Sequence, residues 1–312
     1  MTCVPIPKTM KGVQMKNTGG HEVLQYKTDL PVAVPRDGEV LVKNDFIAIK
    51  YVDGTVVCTG PGSVYDLKVG NRVAMGGGYA EYTAVPASTA YLVPSDVKPD
   101  IAAAALLQGL FAVSLNHKSV QVKEGDWVLV HAAAGGVGLW LCQLLKALGA
   151  KPIGIASTAE KIKLATENGA DYVINYKEEK VLVKRVEEIT RGQGVNVVYD
   201  CIGKNQTENN VNVVAKDGTI VTYGAVTGFP ASISPAKLAA KKVRFVGPGE
   251  SALMRNVGGP REFEKWCAKL FDTIIKNKVN VRIHDTYPLL EIVRANKDLE
   301  GWKTTGKILV KS

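Results

Sequence analysis

What the 312-residue sequence lacks narrows it before any motif is read. No Cys-x-x-Cys pair occurs, and Cys3, Cys58, Cys142, Cys201 and Cys267 lie far apart. Neither a disulfide framework nor a structural zinc site is expected, and all five read as reduced thiols. Long apolar runs are missing too, none approaching the roughly 18 residues of a membrane span. Met1 to Lys11 carries prolines but no apolar core followed by a small-residue cleavage site, so a secretory leader is not expected and a cytosolic location is. Histidine is scarce: His21, His117, His131 and His284 are not arranged with cysteines as metal ligands. Gly19-Gly20-His21-Glu22 looks superficially like a zinc-ligand motif but has no cysteine pair to complete it, and His21 reads as a turn residue. The net charge of +9 lacks a focus, the densest basic group being Lys241, Lys242 and Arg244. That suits a solvated face rather than a nucleic-acid stripe.

What is present centres on Glu124 to Gly138, EGDWVLVHAAAGGVG. Trp127 to Val130 is an apolar run long enough for a strand buried on both faces. Ala133, Gly135 and Gly138 then take the three small-residue positions of a Gly-x-Gly-x-x-Gly turn, and Leu139 to Leu148 continues as an apolar helix closed by Gly149. In strand–turn–helix order, missing side chains let a pyrophosphate reach the backbone, and the helix N-terminus offsets its charge. The candidate cofactor-binding turn is Ala134, Gly135, Gly136, Val137 and Gly138.

The length favours two domains. Lys11 to Tyr91 reads as an antiparallel β domain, with runs at Val40–Val42, Phe46–Ile49, Thr55–Cys58, Arg72–Ala74 and Tyr79–Val85. An Ala/Leu-rich helix over Pro99–Leu115 follows. From Gly125 onward strands and helices alternate as far as a strand at Val243–Val246, which predicts a parallel sheet with right-handed crossovers. A long amphipathic helix over Arg261–Lys276, a short one over Leu289–Asn296 and a strand at Lys307–Val310 complete the chain, the last strand being expected back in the β domain.

The end of the second α/β strand selects the cofactor. An acid there would bind the 2′-hydroxyl of NAD, but the residues are Ala156-Ser157-Thr158, with Lys161 in the first turn of the next helix. NADPH is therefore favoured. Glu160 is the competing feature, equally explained as an acid offsetting the macrodipole of its helix. Tyr176, ending the third strand, is placed to cover the adenosine or merely to pack.

Ala104-Ala105-Leu106-Leu107-Gln108-Gly109-Leu110, Val130 to Gly138, Val173-Ile174-Asn175-Tyr176 and Lys303-Thr304-Thr305-Gly306-Lys307 together resemble the zeta-crystallin-like quinone oxidoreductases, zinc-free members of the medium-chain dehydrogenase/reductase superfamily. The resemblance runs almost end to end. It implies an α/β fold, a Rossmann doubly wound parallel sheet over 110–247 plus a GroES-like β-rich catalytic domain from 1–109 and 248–312, with NADPH in the cleft between them. By the same resemblance Ser157, Lys161 and Tyr176 match the NADP-phosphate and adenosine contacts and Gly224-Ala225 the turn near the nicotinamide. Gly203 and Lys303 complete the cofactor-binding candidates. No metal is expected.

The departures from the family bear on the substrate. About two dozen residues, with an Arg, a Gly-x-Tyr-Pro string and a Gly-x-Glu-x-x-Gly string, have no counterpart where this sequence passes from Asp53 to Gly54. Either such a loop is omitted from the sequence or the protein lacks it, and the abrupt junction favours omission. Lys50 stands for an Asn, Phe111 for a Thr, Trp302 for an Arg and Gly247-Pro248-Gly249 for an Arg-Pro-Ser type string. Reduction of a quinone requires chiefly a nicotinamide held against a flat acceptor, and Lys50 or Tyr51 could stabilise the developing oxyanion. An NADPH-dependent reductase of α,β-unsaturated carbonyls (an alkenal or enone) is the alternative substrate reading. A non-catalytic RNA-binding relative is the alternative from another class, disfavoured because no aromatic-basic interleaving is seen. A homodimer is expected through the Val243–Val246 edge strand, and no membrane association.

Overall fold

The computed structural model describes residues 2–48, 51–62, 65–178, 182–247, 260–301 and 304–312. The chain divides into two compact units, one from Met1–Leu107, Gly258–Lys276 and Val281–Ser312, the other from Gln108–Val257 with Asn277–Asn280.

Unit one is β-rich. Its strands are β1 (Thr2–Cys3), β2 (Thr9–Gln14), β3 (Gln25–Pro31), β4 (Glu39–Ala48), β5 (Tyr51–Thr59), β6 (Arg72–Gly76), β7 (Tyr82–Pro86) and β8 (Tyr91–Leu92). β4 buries Val40, Val42 and Ile47 against Val52, Val56, Val73 and Met75, while Leu41 packs with Val57 and Cys58 in a second cluster, and irregularities in the β4–β5 register break a strict alternation. From the far end of the chain β16 (Lys307–Lys311) pairs antiparallel with β4, as the sequence predicts. β15 (Ile283–Pro288) pairs parallel with β16 and went unread, because IHDTYP has no apolar alternation. The β2–β3 hairpin, a separate two-stranded sheet, is likewise absent from the sequence reading.

Two expectations for this half of the chain are corrected. Cys3 lies directly opposite Cys58 in the antiparallel β1–β5 pairing, and the two form a disulfide; Cys142, Cys201 and Cys267 are free. β5 runs through Asp53 and Gly54 unbroken, Asp53 paired with Phe46 and Ala74, Gly54 with Asn44 and Val73. Ala48 is paired with Tyr51, and the two-dozen-residue segment of the resemblance has no counterpart in the sequence as it stands. Finally, helix α1 (Pro99–Ser114), with its continuation to Ser119, is long and apolar enough to cross a membrane by length and composition, although 67% of it is buried inside the protein. Ala102 to Leu106 have no exposed surface, as the core helix of a folded domain requires.

Unit two is a doubly wound α/β sheet. β9 (Trp127–Val130), β10 (Lys151–Ala156), β11 (Tyr172–Asn175), β12 (Val195–Asp200), β13 (Val214–Thr222) and β14 (Arg244–Val246) lie in the order β11-β10-β9-β12-β13-β14, all parallel. Crossovers run through α2 (Gly136–Ala147), α3 (Ala159–Glu167), α4 (Leu182–Thr190), α5 (Thr207–Val213) and α6 (Pro235–Lys241). The inner strands are apolar on both faces, Val128, Leu129 and Val130 being wholly buried, because helices cover both sides. The order reverses between β9 and β12, which opens a crevice at the carboxyl ends of those strands.

Candidate functional site: a Gly-rich turn at the carboxyl edge of the sheet

β9 ends at Val130, and the chain turns through Ala132, whose φ of +50° is a left-handed conformation that non-glycine residues seldom adopt. Gly135 then caps α2 without any side-chain hydrogen bond, so the first amides of a twelve-residue helix have no cap of their own. A Cβ on Gly138 would lie 2.3 Å from the Ala132 carbonyl oxygen, and one on Gly135 3.0 Å from the same atom. Turn and helix can therefore close only with glycine at 138, and the fit at 135 is tight. A Cβ on Gly136 would collide with the Gln108 amide, which packs over the turn. Gly135, Gly136 and Val137 remain partly open, while Ala134 is buried with Leu139 and Leu164. A pyrophosphate fits this arrangement: backbone without side chains, helix amides and the positive end of the macrodipole converge.

The other candidates of unit two follow the carboxyl ends of neighbouring strands. Ser157 follows β10, and Thr158 caps α3, its Oγ1 accepting from the Lys161 amide at 3.3 Å. Lys161 therefore lies in the first turn. Tyr176, 55% exposed, follows β11, its amide donating to the Ala156 carbonyl at 3.1 Å. That bond brings the ends of β10 and β11 together beside Ser157. Gly203 follows β12 at φ +87°, where a Cβ would meet the Gly228 carbonyl at 2.2 Å. Gly224 and Ala225 follow β13, and the Val226 and Thr227 amides donate back to the Cys201 and Ile202 carbonyls. Phe111 packs against Tyr223 with ring centroids 5.8 Å apart.

The turns after β9 and β12 rest on a buried network not foreseen from the sequence. Asp200 Oδ1 accepts from the Ile202 amide at 2.7 Å and the Gly203 amide at 3.2 Å, and Oδ2 from Asn210 Nδ2 at 3.0 Å. That bond orients the Asn210 amide so that its Oδ1 faces His131 Nε2 at 2.8 Å. His131 must then carry its proton on Nε2, and burial pushes its pKa below the ordinary value, keeping the ring neutral. Its one sequence signal is a histidine between an apolar strand and a Gly-rich turn.

The remaining candidates belong to unit one. Lys50 and Lys303, with Trp302 and Pro248-Gly249, lie outside the described residues. Tyr51 opens β5 with its backbone paired to Ala48 and Gly76, but its side chain is also outside them. His21 sits in a single 3-10 turn and pairs with Glu300 at 3.1 Å. Among the described residues no three or more His, Cys, Asp or Glu side chains gather as a metal site.

A doubly wound sheet with a glycine cradle at its switch point defines a dinucleotide-binding protein, and residues 136–270 match the zinc-binding dehydrogenase family. A probable quinone oxidoreductase of Schizosaccharomyces pombe is 35% identical over 96% of both chains. The 2-haloacrylate reductase of a Burkholderia species is 30% identical over 90% of this chain and 93% of its own. The crystal structure of Escherichia coli quinone oxidoreductase complexed with NADPH superposes with a TM-score of 0.86 at 31% identity, covering 97% of this chain and all of that one. The chain belongs to the quinone oxidoreductase family.

Proposed function

We propose that the protein reduces quinones with NADPH and without a metal. The observation that carries this is the glycine cradle: the amides of Gly135 to Gly138 at the N-terminus of α2 take the pyrophosphate, where a Cβ on Gly138 has no room. Ser157 and Lys161 bind the 2′-phosphate in place of the acid that would select NAD, and Tyr176 covers the adenosine. The loops at Gly203 and Gly224-Ala225 border the nicotinamide, and Lys303 is a further cofactor contact. Bound there, NADPH supplies a hydride. The chain contributes orientation and exclusion of water, and Lys50 or Tyr51 stabilises charge on the acceptor oxygen. Steady-state NADPH oxidation against a panel of quinones and enals tests the reading, together with cofactor dissociation constants. Lys161→Ala should weaken NADPH by roughly ten- to a hundredfold, the loss of one charge-assisted phosphate contact. NADH binding the wild type as tightly as NADPH would overturn the cofactor assignment, and turnover lost to a chelator would overturn the metal-free one.

Reduction of an α,β-unsaturated substrate is the second reading, favoured by the 2-haloacrylate reductase relative. Faster turnover with enals than with quinones would select it. We further propose a homodimer. β14 pairs on one side only, with β13, among the described residues, and a two-fold copy of the same strand would cover its other edge. Phe245→Pro, which removes a ladder donor, should give monomers in sedimentation while leaving NADPH affinity unchanged. A wild type that stays monomeric at tens of micromolar, roughly where weak contacts already show, would refute the dimer. A cytosolic location is proposed on the three free thiols, against the single Cys3–Cys58 bridge, and no nucleic-acid partner is assigned.

A further inference from the structure

At the opposite end of the parallel sheet, the first residues of β9, β10 and β11, Trp127, Lys151 and Tyr172, meet the end of α4 in a groove of about 480 Å³. Along β10, Lys151 is about 17 Å from the strand end that leads to Ser157, at the usual rise per residue. The groove is thus distinct from the glycine cradle. Its volume is that of a small-ligand site.

Its chemistry has two parts. The Trp127 and Tyr172 rings lie with centroids 5.9 Å apart at 51°, and Tyr172 is 45% exposed. Lys151 Nζ stands 5.0 Å from the centre of the Trp127 ring, so the indole buttresses Tyr172 and fixes the ammonium, leaving the tyrosine ring for a ligand. Arg185 and Arg191 line the same groove. The Arg185 guanidinium is held by Glu188 at 2.8 Å, while the Arg191 side chain has no ion-pair partner among the described residues. Three cations face one carboxylate. An apolar ligand would not use them, and an inorganic anion would not use the rings.

We propose that this groove binds a purine nucleoside diphosphate, the base stacked on Tyr172 and the phosphates between Arg185 and Arg191. Fork-shaped guanidinium donors match phosphate oxygens, and the exposed ring offers a flat π-surface. A short groove bounded by a few side chains suits one nucleotide and not a strand, which needs a basic track of several sites.

The test is isothermal titration of the full chain with guanosine 5′-diphosphate under excess NADPH, with inorganic pyrophosphate and a single-stranded oligonucleotide as parallel probes. The wild type should bind the diphosphate saturably. Arg191→Ala and Arg185→Ala should each weaken it about tenfold, and Tyr172→Ala about fivefold for the nucleotide with no change for pyrophosphate. All three side chains are exposed, and unchanged far-ultraviolet dichroism and NADPH affinity show that each variant is folded. No saturation by about 5 mM, wild-type binding by the arginine variants, or equal losses for nucleotide and pyrophosphate in Tyr172→Ala would overturn the proposal. Tighter binding of the oligonucleotide than of the diphosphate would overturn it in favour of a nucleic-acid surface.

Discussion

The two units each bury an aspartate, and the two are solvated in opposite ways. Asp200, 1% exposed, has three hydrogen-bond donors on its two oxygens. Asp53, fully buried within β5, has no hydrogen bond on either oxygen, and Arg72 Nε stands 3.6 Å away, itself unbonded. Arg72 gives its Nη2 instead to the Pro94 and Val97 carbonyls. Burial raises the Asp53 pKa to about 8 against the opposing pull of Arg72, with Asp45 and Asp100 raising it further. Burial alone therefore does not define a buried carboxylate. The donors around Asp200 make it a joint that sets two loops, whereas Asp53 is kept at a cost to its ionised form.

The contrast can be broken most strongly at Asp200. Asp200→Ala strands two backbone amides and Asn210, and should destabilise the protein by roughly 3–5 kcal/mol while weakening NADPH binding. Denaturant unfolding and cofactor titration measure both, and a loss under about 1 kcal/mol would remove the joint from the account. At Asp53 the sign reverses. Its folded pKa lies above the unfolded value, so the native state holds a proton that the unfolded chain has released, and stability falls as pH rises from about 4 to 8. Asp53→Asn should raise stability at pH 8 by on the order of 2 kcal/mol and flatten most of that slope in thermal melts. A variant less stable than wild type at pH 8 would show that the Arg72 pair outweighs burial. The smallest effect belongs to His131. Its folded pKa is depressed, so its contribution is present above the ordinary value of 6.5 and is lost as pH falls below it. His131→Gln keeps a donor for Asn210, should cost about 1 kcal/mol at pH 7.5, and should remove the decline between pH 6.5 and 5.

The doubly wound sheet was legible because each strand carries its signal locally. Trp127–Val130 and Tyr172–Asn175 were read to the residue, since buried parallel strands are short apolar runs and Gly149 and Gly169 close the intervening helices. The turn at Ala133 to Gly138 was readable for a similar reason, its small residues being dictated by backbone crowding. Features made by distant residues were not legible. Cys3 and Cys58 are 55 positions apart and meet only through strand pairing. Asp200, Asn210 and His131 come from three elements, and the Trp127–Arg191 groove from five.

The return of β16 to β4 has a consequence for synthesis. Unit one cannot finish its sheet until residues 307–311 have been made, whereas unit two is complete, apart from Asn277–Asn280, once the chain has passed residue 257. Vectorial synthesis usually folds the earlier domain first. Here the order inverts: the central unit can close while residues 1–107 wait on the ribosome, β4 paired with β5 and β7 but its Phe46–Ala48 edge open until β16 arrives.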